Sequence, residues 1–184
     1  MWQYKKFRNQ EFVPLIKFLV EMYQPDIYVE VGVQKAFTFN QISPLVKEAF
    51  AVDIVPMPNV IRAFNVCICQ KASLEFAEQW DRNKQIDLLL IDADHKRESV
   101  LADFNALSPF VTPGTGLILL HDTYPAAPNM VKRGLCHSAW EAAREIHSNN
   151  RKYKNWEIVT LPGPYAGLSI IRNATKHLHW MEEK

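Results

Sequence analysis

The chain lacks the features that direct a protein to a membrane, to nucleic acid or out of the cell. Lys and Arg number 21 against 20 Asp and Glu, so the net charge of +1 provides no long-range field for a polyanion. Residues 1–10 contain no uninterrupted apolar signal segment, and the longest apolar runs, such as 88–91 and 117–120, are far shorter than a membrane span. We therefore expect a cytoplasmic protein with no membrane partner, and nucleic-acid partners are disfavoured.

Cysteine is also scarce, with an odd set of three residues, Cys67, Cys69 and Cys136. Cys67 and Cys69 are two residues apart, which in a strand places both side chains on the same face. A zinc pair is one interpretation of this spacing, and buried reduced thiols are the other. We favour buried thiols because free cysteine is among the most frequently buried residue types.

Repeats, low-complexity segments and linkers are absent, so the chain has no sign of a second domain. Its 184 residues, 48% of them hydrophobic, suffice for one well-packed core. We assign residues 1–184 to a single domain, with a core at 24–172, an N-terminal helix at 10–23 and a C-terminal tail at 173–184.

Short apolar runs alternate with amphipathic ones, as in proteins built from β-α-β units. Five runs predict strands at 27–33, 50–54, 66–69, 86–91 and 116–120, with helical stretches near 37–49, 57–64, 72–82, 95–107 and 128–148. Two more strands, at 156–161 and 167–171, flank a connection that is too short for a helical crossover, so they should pair antiparallel. The prediction is an α/β three-layer sandwich with a seven-stranded, mostly parallel sheet and an antiparallel last strand.

Ligands of an open parallel sheet bind beyond the carboxyl ends of the strands, so the residues that follow the strands are the candidates for function. The first predicted strand carries Glu30, and Gly32 follows at a strand-to-helix turn, where glycine lets a ligand approach the backbone. The second strand leads to Asp53, 21 positions after Gly32, close to the roughly 20-residue offset of an acid that binds ribose hydroxyls. Together these residues indicate a nucleoside-bearing cofactor, although each alone also fits a cap, a turn or a salt bridge.

A dinucleotide is disfavoured because the G-x-G-x-x-G pattern is incomplete. Gln34 and Phe37 stand at the later glycine positions. S-adenosyl-L-methionine has no pyrophosphate and needs fewer glycines, and Glu30 can favour its cationic ammonium and sulfonium groups. The sequence therefore favours S-adenosyl-L-methionine as the cofactor.

Acidic and imidazole side chains follow the fourth and fifth predicted strands. Asp92 and Asp122 come at the ends of these strands. His121 stands directly before Asp122, and His95 stands three residues after Asp92. If the strands are neighbours, about 4.8 Å apart, the two carboxylates meet and repel, and a hard divalent cation relieves the repulsion. His95 faces the same edge and can accept a proton near neutral pH. The alternatives are a helix cap for Asp92, a turn for Asp122 and a buried histidine for His121.

With these residues the chain resembles class I S-adenosylmethionine-dependent methyltransferases, which have a Rossmann-like sandwich fold. The resemblance is to the metal-dependent O-methyltransferases of the catechol and macrolide-sugar types. It implies that the E-x-G motif, Glu30 and Gly32, holds the methionine part of the cofactor, with the hydroxyl group of Thr38 nearby. It also implies that Asp53 binds the ribose and that Ser73 contacts the adenine.

The resemblance, which runs from 28 to 172, also implies a metal and a base. Asp92 matches the first metal ligand, which borders the cofactor as well, and His121 and Asp122 match the remaining ligands. His95 stands where catechol-type enzymes carry a lysine base and sugar-type enzymes a histidine. His121 replaces a carboxylate of those families, so manganese becomes a candidate beside magnesium.

The implied reaction is methyl transfer to a hydroxyl group of a small molecule. The chain has little material before the first strand to cover a pocket, so the lid comes either from a second subunit of a homo-oligomer or from the segment 123–136.

Two other functions remain open. Ala36 stands where the related families have a further glycine, beside the bulky Phe37, and this departure fits a non-catalytic cofactor-binding or partner module. The run 151–156 interleaves basic and aromatic residues, which is the only hint of a nucleic-acid methyltransferase, and a solvated loop explains it better.

Overall fold

Seven strands form one sheet at the centre of the molecule. The computed structural model describes residues 11–149, 151–163 and 166–174. The strands are β1 (Ile27–Val31), β2 (Glu48–Asp53), β3 (Val66–Gln70), β4 (Leu88–Ile91), β5 (Leu117–His121), β6 (Trp156–Leu161) and β7 (Leu168–Asn173). Their order across the sheet is β3-β2-β1-β4-β5-β7-β6, and β7 runs antiparallel to both of its neighbours. The predicted mostly parallel sheet with an antiparallel last strand is confirmed.

Within the described ranges, five α-helices cover the two faces of the sheet. They are α1 (Val13–Tyr23), α2 (Phe39–Ile42), α3 (Ser73–Glu78), α4 (Arg97–Leu107) and α5 (Ala139–Ser148). α1 and α2 pack on one face, where Ile16 and Phe39 join Tyr28 of β1. α3, α4 and α5 pack on the other face around Phe104 and Ile146. Because both faces are covered, β1 and β4 are buried at every position, which explains the continuous apolar run of β4 and the apolar residues that flank Glu30 in β1.

Some predicted helices are shorter than expected, and one is wrong. Residues 57–64 form turns and bends, since Pro56 and Pro58 disfavour the helical conformation in the residues before them. α2 is followed by a short 3-10 turn at Pro44 and then by β2, while α5 occupies only the second half of its predicted stretch. Residue 10 of the predicted N-terminal helix and residues 175–184 of the predicted tail lie outside the described residues. No helix in the described part of the chain is long and apolar enough to cross a membrane.

The strand order determines which loops meet. β1 pairs with β2 on one side and with β4 on the other, so the loop after β1 lies between the loops after these two strands. β4 and β5 are neighbours, and their register pairs Ile91 with Leu120. Asp92 and His121, the next residues along each strand, therefore stand side by side at the carboxyl edge of the sheet.

Candidate active site

β1 supplies a buried carboxyl group near its end. Glu30 is 3% exposed, and its Oε2 accepts a hydrogen bond of 2.5 Å from the hydroxyl group of Tyr28, two residues earlier on the same face of the strand. Burial raises the pKa of Glu30 to about 8, while the hydrogen bond from Tyr28 opposes that shift. The carboxyl group therefore holds its proton at neutral pH unless a further cation lies beside it.

Gly32 lies where the loop after β1 touches the loop after β4. Its φ is +90°, and a Cβ at this position would lie 2.3 Å from the backbone oxygen of Asp92. The glycine therefore permits a close approach of two loops, in addition to the approach of a ligand that the sequence predicts. The same loop has left-handed backbone at Gln34 and Ala36, with φ of 44° and 59°. Ala36 thus adopts a left-handed backbone conformation, which glycine adopts more readily than alanine.

Asp53 and Ser73 already have partners within the chain. Asp53 accepts backbone N–H groups through both oxygens, from Gln34 at 2.9 Å and from Val55 at 3.1 Å. The hydroxyl group of Ser73, at the start of α3, donates to the carboxylate of Asp103 on α4. Contacts of these side chains with ribose and adenine stay predictions.

β4 and β5 bring two carboxylates and two imidazoles together. His95 Nε2 lies 3.5 Å from Asp92 Oδ1, and His95 Nδ1 lies 3.1 Å from Asp122 Oδ2. His121 Nδ1 lies 3.3 Å from Asp92 Oδ1 and 3.1 Å from Asp122 Oδ2. Asp122 has a left-handed φ of 62°, which aspartate tolerates better than most residues and which turns the chain just after β5. The four side chains that the sequence singles out at this edge are within contact distance.

The charges in this cluster stabilise one another. Burial would lower the pKa of His95, but Asp92, Asp122 and the carbonyl group of Leu135 raise it to about 9. Burial likewise opposes protonation of His121, and the same two carboxylates raise its pKa well above the usual value. Burial would raise the pKa of Asp92, but the two imidazoles hold it below its usual range. Both imidazoles are therefore protonated at neutral pH unless another cation is close, and a protonated imidazole accepts no proton.

Donor atoms suited to a divalent metal converge in the same place. One atom each from Asp92, His95 and Asp122 lie within 4.8 Å of one another. The sequence predicts His121 as the imidazole ligand and His95 as the base, whereas this group contains His95. His121 packs edge-to-face on Phe12, and its buried Nδ1 makes no well-aligned hydrogen bond although both carboxylates are near. The roles of the two histidines stay predictions.

A cavity of about 220 Å³ connects the end of β1 with this cluster. The predicted site residues that line it are Glu30, Gly32, Thr38, Asp92, His95, His121 and Asp122. Asp53 and Ser73 are not among the described residues that line it. Pockets for cofactor-sized ligands measure roughly 300–1,000 Å³, so the cavity accommodates part of such a ligand and the remainder lies outside it.

The segment 123–136 contributes a further wall and is held at both ends. Met130 and Leu135 from this segment line the cavity. The N–H group of Tyr124 donates to the carbonyl oxygen of Ala166 at 2.7 Å. Just beyond the segment, the N–H group of Ser138 donates to the backbone carbonyl oxygen of His95 at 3.0 Å. Most residues between these two anchors are exposed. The segment therefore has fixed ends and a solvated middle.

Sequence reasoning misses Tyr28, Met130 and Leu135. The available signal for Tyr28 is its spacing of two from Glu30, which places both side chains on one face of a strand. Met130 and Leu135 lie in a loop whose course depends on its anchors, so no local pattern indicates their position.

The run 151–156 does not present its aromatic rings to solvent. Tyr153 is 4% exposed, and the rings of Tyr153 and Trp156 pack on Phe104 at 5.8 and 5.2 Å between centroids. These rings belong to the core and are not free to stack on bases.

The cysteines only partly follow the prediction of buried thiols. Cys136 is buried, whereas Cys67 is exposed on the edge strand β3 and Cys69 is half-buried. The prediction is wrong for Cys67, which lies on the strand that forms one edge of the sheet in the described part of the chain. The two Sγ atoms lie 3.8 Å apart, on the same face as the spacing predicts.

Fold and site together define a class I methyltransferase: a mostly parallel seven-stranded sheet with acidic residues and a glycine turn at its carboxyl edge. Residues 29–123 match the sequence model of a methyltransferase domain. The chain belongs to this methyltransferase domain family, as the resemblance read from its motifs implies. Among curated proteins, none matches the chain.

Several solved structures share the fold. Cofactor-bound Rv0187 from MTB has 14% identity and a TM-score of 0.70, covering 88% of this chain and 80% of that one. An O-methyltransferase from Bacillus cereus in complex with S-adenosylhomocysteine has 13% identity and a TM-score of 0.65, covering 89% and 80%. MycE from the mycinamycin biosynthetic pathway, in complex with Mg, S-adenosylhomocysteine and mycinamycin VI, has 19% identity and a TM-score of 0.58. The match covers 88% of this chain and 48% of MycE, so the chain spans about half the length of that enzyme.

Proposed function

We propose that the chain is an S-adenosylmethionine-dependent O-methyltransferase that methylates a hydroxyl group of a small molecule with the help of a divalent metal. One observation carries this proposal: a single cavity joins Glu30 of the E-x-G motif to the donor group of Asp92, His95 and Asp122. A methyl donor and an acceptor oxygen held at these two places would share one cavity, as direct transfer requires.

We assign the cofactor to the β1 and β2 side of the cavity. Ionised Glu30 favours a cationic ammonium group, and Gly32 and Thr38 line the same wall. Asp53 accepts two backbone N–H groups, and its oxygens have further lone pairs for ribose hydroxyls. We assign Ser73 to a contact with the adenine ring of the cofactor. The Bacillus cereus enzyme, which contains S-adenosylhomocysteine, supports a cofactor of this class.

The donor set at β4 and β5 fits a divalent metal. Asp92 and Asp122 offer carboxylate oxygens, and His95 or His121 offers an imidazole nitrogen. The buried His121 Nδ1, which lacks an aligned partner, is a donor position that a metal would satisfy. A divalent ion there would act as a Lewis acid toward the substrate oxygen. Magnesium is supported by the MycE complex, and manganese by the imidazoles.

His95 has two alternative roles. As a general base it would take the hydroxyl proton, with Asp122 beside Nδ1 to orient the ring. That role requires a neutral imidazole, and the pKa of His95 falls only if a cation replaces the proton between the carboxylates. As a ligand, His95 would hold the metal together with Asp92 and Asp122. The segment 123–136 limits the access of water to the cavity in either case.

The test is an assay of S-adenosylhomocysteine release with a panel of phenols, catechols and sugar hydroxyls. It is run with EDTA, and then after addition of magnesium or manganese to the EDTA-treated protein. We expect turnover with at least one hydroxyl class, loss of turnover in EDTA and recovery with metal. Turnover that is unchanged by EDTA would refute the metal, and absence of turnover with every hydroxyl class would refute the hydroxyl substrate.

A non-catalytic module is the second candidate, favoured by the internal partners of Asp53 and Ser73. Calorimetry with S-adenosylmethionine and S-adenosylhomocysteine separates the two candidates. Micromolar binding with turnover supports the enzyme. Absence of heat and of thermal stabilisation at millimolar ligand would favour the module.

We further propose that residues 1–184 form a single cytoplasmic methyltransferase domain without a nucleic-acid partner. The segment 123–136, which already lines the cavity, supplies a lid from within the chain. Analytical ultracentrifugation with and without substrate tests whether a homo-oligomer is needed as well.

A further inference from the structure

Tyr28 is an unexpected neighbour for the carboxyl group that we assign to the cofactor. Its side chain is fully buried, and its ring stacks on Phe39 at 5.9 Å with 24° between the planes. A buried phenol hydroxyl requires an acceptor, and Tyr28 donates to Glu30 Oε2 at 2.5 Å. The stacked ring therefore fixes the position of one carboxyl oxygen.

The pairing leaves the other oxygen of Glu30 for a ligand. Glu30 lines the cavity, and its Oε2 is taken by the hydroxyl group of Tyr28 on the core side. Oε1 is then the atom that Glu30 can offer to a group in the cavity. A carboxyl group held by one buried hydrogen bond loses little side-chain freedom when the ligand arrives, which favours binding.

We propose that Tyr28 is a positioning residue for cofactor binding, whose hydroxyl group orients the Glu30 carboxylate toward the ammonium group of the cofactor and stabilises its charged form. The inference rests on the proposed function, because it takes that ammonium group as the partner of Glu30.

The neighbours of Glu30 act on its charge in opposite directions. Burial favours the neutral carboxyl group, and the carboxylates of Asp92 and Asp53 favour it as well. The hydrogen bond from Tyr28 and the imidazole of His121 favour the carboxylate. Loss of the Tyr28 hydroxyl group should therefore raise the pKa of Glu30 above its value of about 8 and reduce the charged fraction at neutral pH. In a variant without this hydroxyl group, the affinity for a cationic ligand should therefore increase at a higher pH than in the wild type. The reason is that the carboxylate attracts the cation and the protonated acid does not.

The experiment is calorimetry with S-adenosylhomocysteine, which keeps the ammonium group and undergoes no methyl transfer. Binding is measured for the wild type, Tyr28→Phe and Glu30→Gln between about pH 6.5 and pH 9.5. We expect Tyr28→Phe to weaken binding about tenfold at neutral pH. The ratio of the Kd of Tyr28→Phe to the Kd of the wild type should fall as pH rises. Glu30→Gln should bind weakly throughout this range. The ionisation of the ligand itself cancels in the ratio, because the same ligand is used with every variant at each pH.

Tyr153→Phe is the matched control, since Tyr153 is also a buried tyrosine and its hydroxyl group donates to Asn105 on α4, outside the residues that line the cavity. Its affinity should equal that of the wild type. Site-specific 3-fluorotyrosine at position 28 keeps the ring, makes the hydroxyl group a stronger donor, and should move the pH profile in the opposite direction. This second variant also serves if Tyr28→Phe does not fold.

The outcomes separate the two proposals. A wild type that binds, with the same Kd and pH profile in Tyr28→Phe and the fluorotyrosine protein, overturns the role of Tyr28 and leaves the proposed function intact. A deficit in Tyr28→Phe that is constant across the pH range indicates a packing role and also overturns the inference. A wild type that does not bind S-adenosylhomocysteine overturns both proposals.

Discussion

The two sides of the cavity are organised in different ways. At β1 and β2, polar groups have partners within the chain: Tyr28 bonds to Glu30, and Asp53 accepts two backbone N–H groups. At β4 and β5, charged groups face one another, and Nδ1 of His121 has no aligned partner. The first side is built before a ligand arrives, whereas the state of the second depends on whether protons or a metal balance its carboxylates. Substitutions on the first side should therefore change ligand binding, and substitutions on the second side should change the balance of charge and the binding of metal.

The largest effect is expected from removal of one carboxylate on the charged side. Asp92→Asn and Asp122→Asn should each abolish metal-dependent turnover, because the donor group loses an anionic oxygen. Circular dichroism should show folded protein, since both residues follow the strands and lie outside the hydrophobic clusters. Asp94→Asn is the matched control, because Asp94 is exposed and pairs with Ser99 and Lys96. Normal metal-dependent turnover in the Asp92 and Asp122 variants would show that they are turn residues.

His95→Ala should lower the turnover rate by about 10²–10⁴ if His95 is the base, with unchanged affinity for S-adenosylhomocysteine. Titration with Mn²⁺ followed by electron paramagnetic resonance measures the metal affinity of the same variant. Unchanged metal affinity supports the base, and a loss supports the ligand. His147→Ala, in the last turn of α5, is the control. Near-normal turnover in His95→Ala would eliminate both roles.

Gly32 is the point of contact between the two sides, so its substitution tests whether they depend on each other. Gly32→Ala places a Cβ 2.3 Å from the backbone oxygen of Asp92 at a φ of +90°. We expect the free energy of unfolding in urea to fall by about 3 kcal/mol or more, and metal affinity to fall with it. Ala36→Gly is the control, since φ is positive there too and the effect should stay within about 1 kcal/mol. If Gly32→Ala lowers the free energy of unfolding by no more than the control, about 1 kcal/mol, the two loops move independently.

The smallest effect is expected for Asp53, because its removal deletes only the proposed hydrogen bonds to ribose and the two to backbone N–H groups. Asp53→Ala should weaken binding of S-adenosylhomocysteine by about 1–3 kcal/mol. Asp87 supplies a matched control, because it accepts the N–H groups of Asp26 and Ile27 at 3.0 Å at the opposite edge of the sheet. Asp87→Ala should cost stability without changing affinity. Equal affinity in both variants would assign Asp53 to the loop alone.

The sheet is predictable from the sequence, whereas the connections are less so. β4 and the first four residues of β5 are apolar and buried on both faces, a pattern that few other environments require. The error at 57–64 arises because apolar spacing there resembles a helix, while two prolines restrict the backbone locally. Met57 and Val60 are buried as a helix would predict, but turns place them there.

The residues of the site are predictable from the sequence, whereas their hydrogen-bond and packing partners are less so. Position after a strand suffices to bring Asp92 and His121 together, since adjacent parallel strands end at one edge. The partner of Ser73 is Asp103, thirty residues later on another helix, and nothing local to Ser73 indicates it. Which histidine completes the donor group depends on ring orientations that follow from packing, such as Phe12 against His121.

The two anchors of the segment 123–136 make it an exchangeable module. Its ends are tied to Ala166 and His95 through backbone groups, so a different sequence can occupy the middle without changing the bonds that fix the ends. Doubling the length of such a loop costs only about 0.6 kcal/mol in closure entropy. Replacement of this one stretch would therefore change the cavity wall at Met130 and Leu135 while the ends of β1, β4 and β5 keep their places.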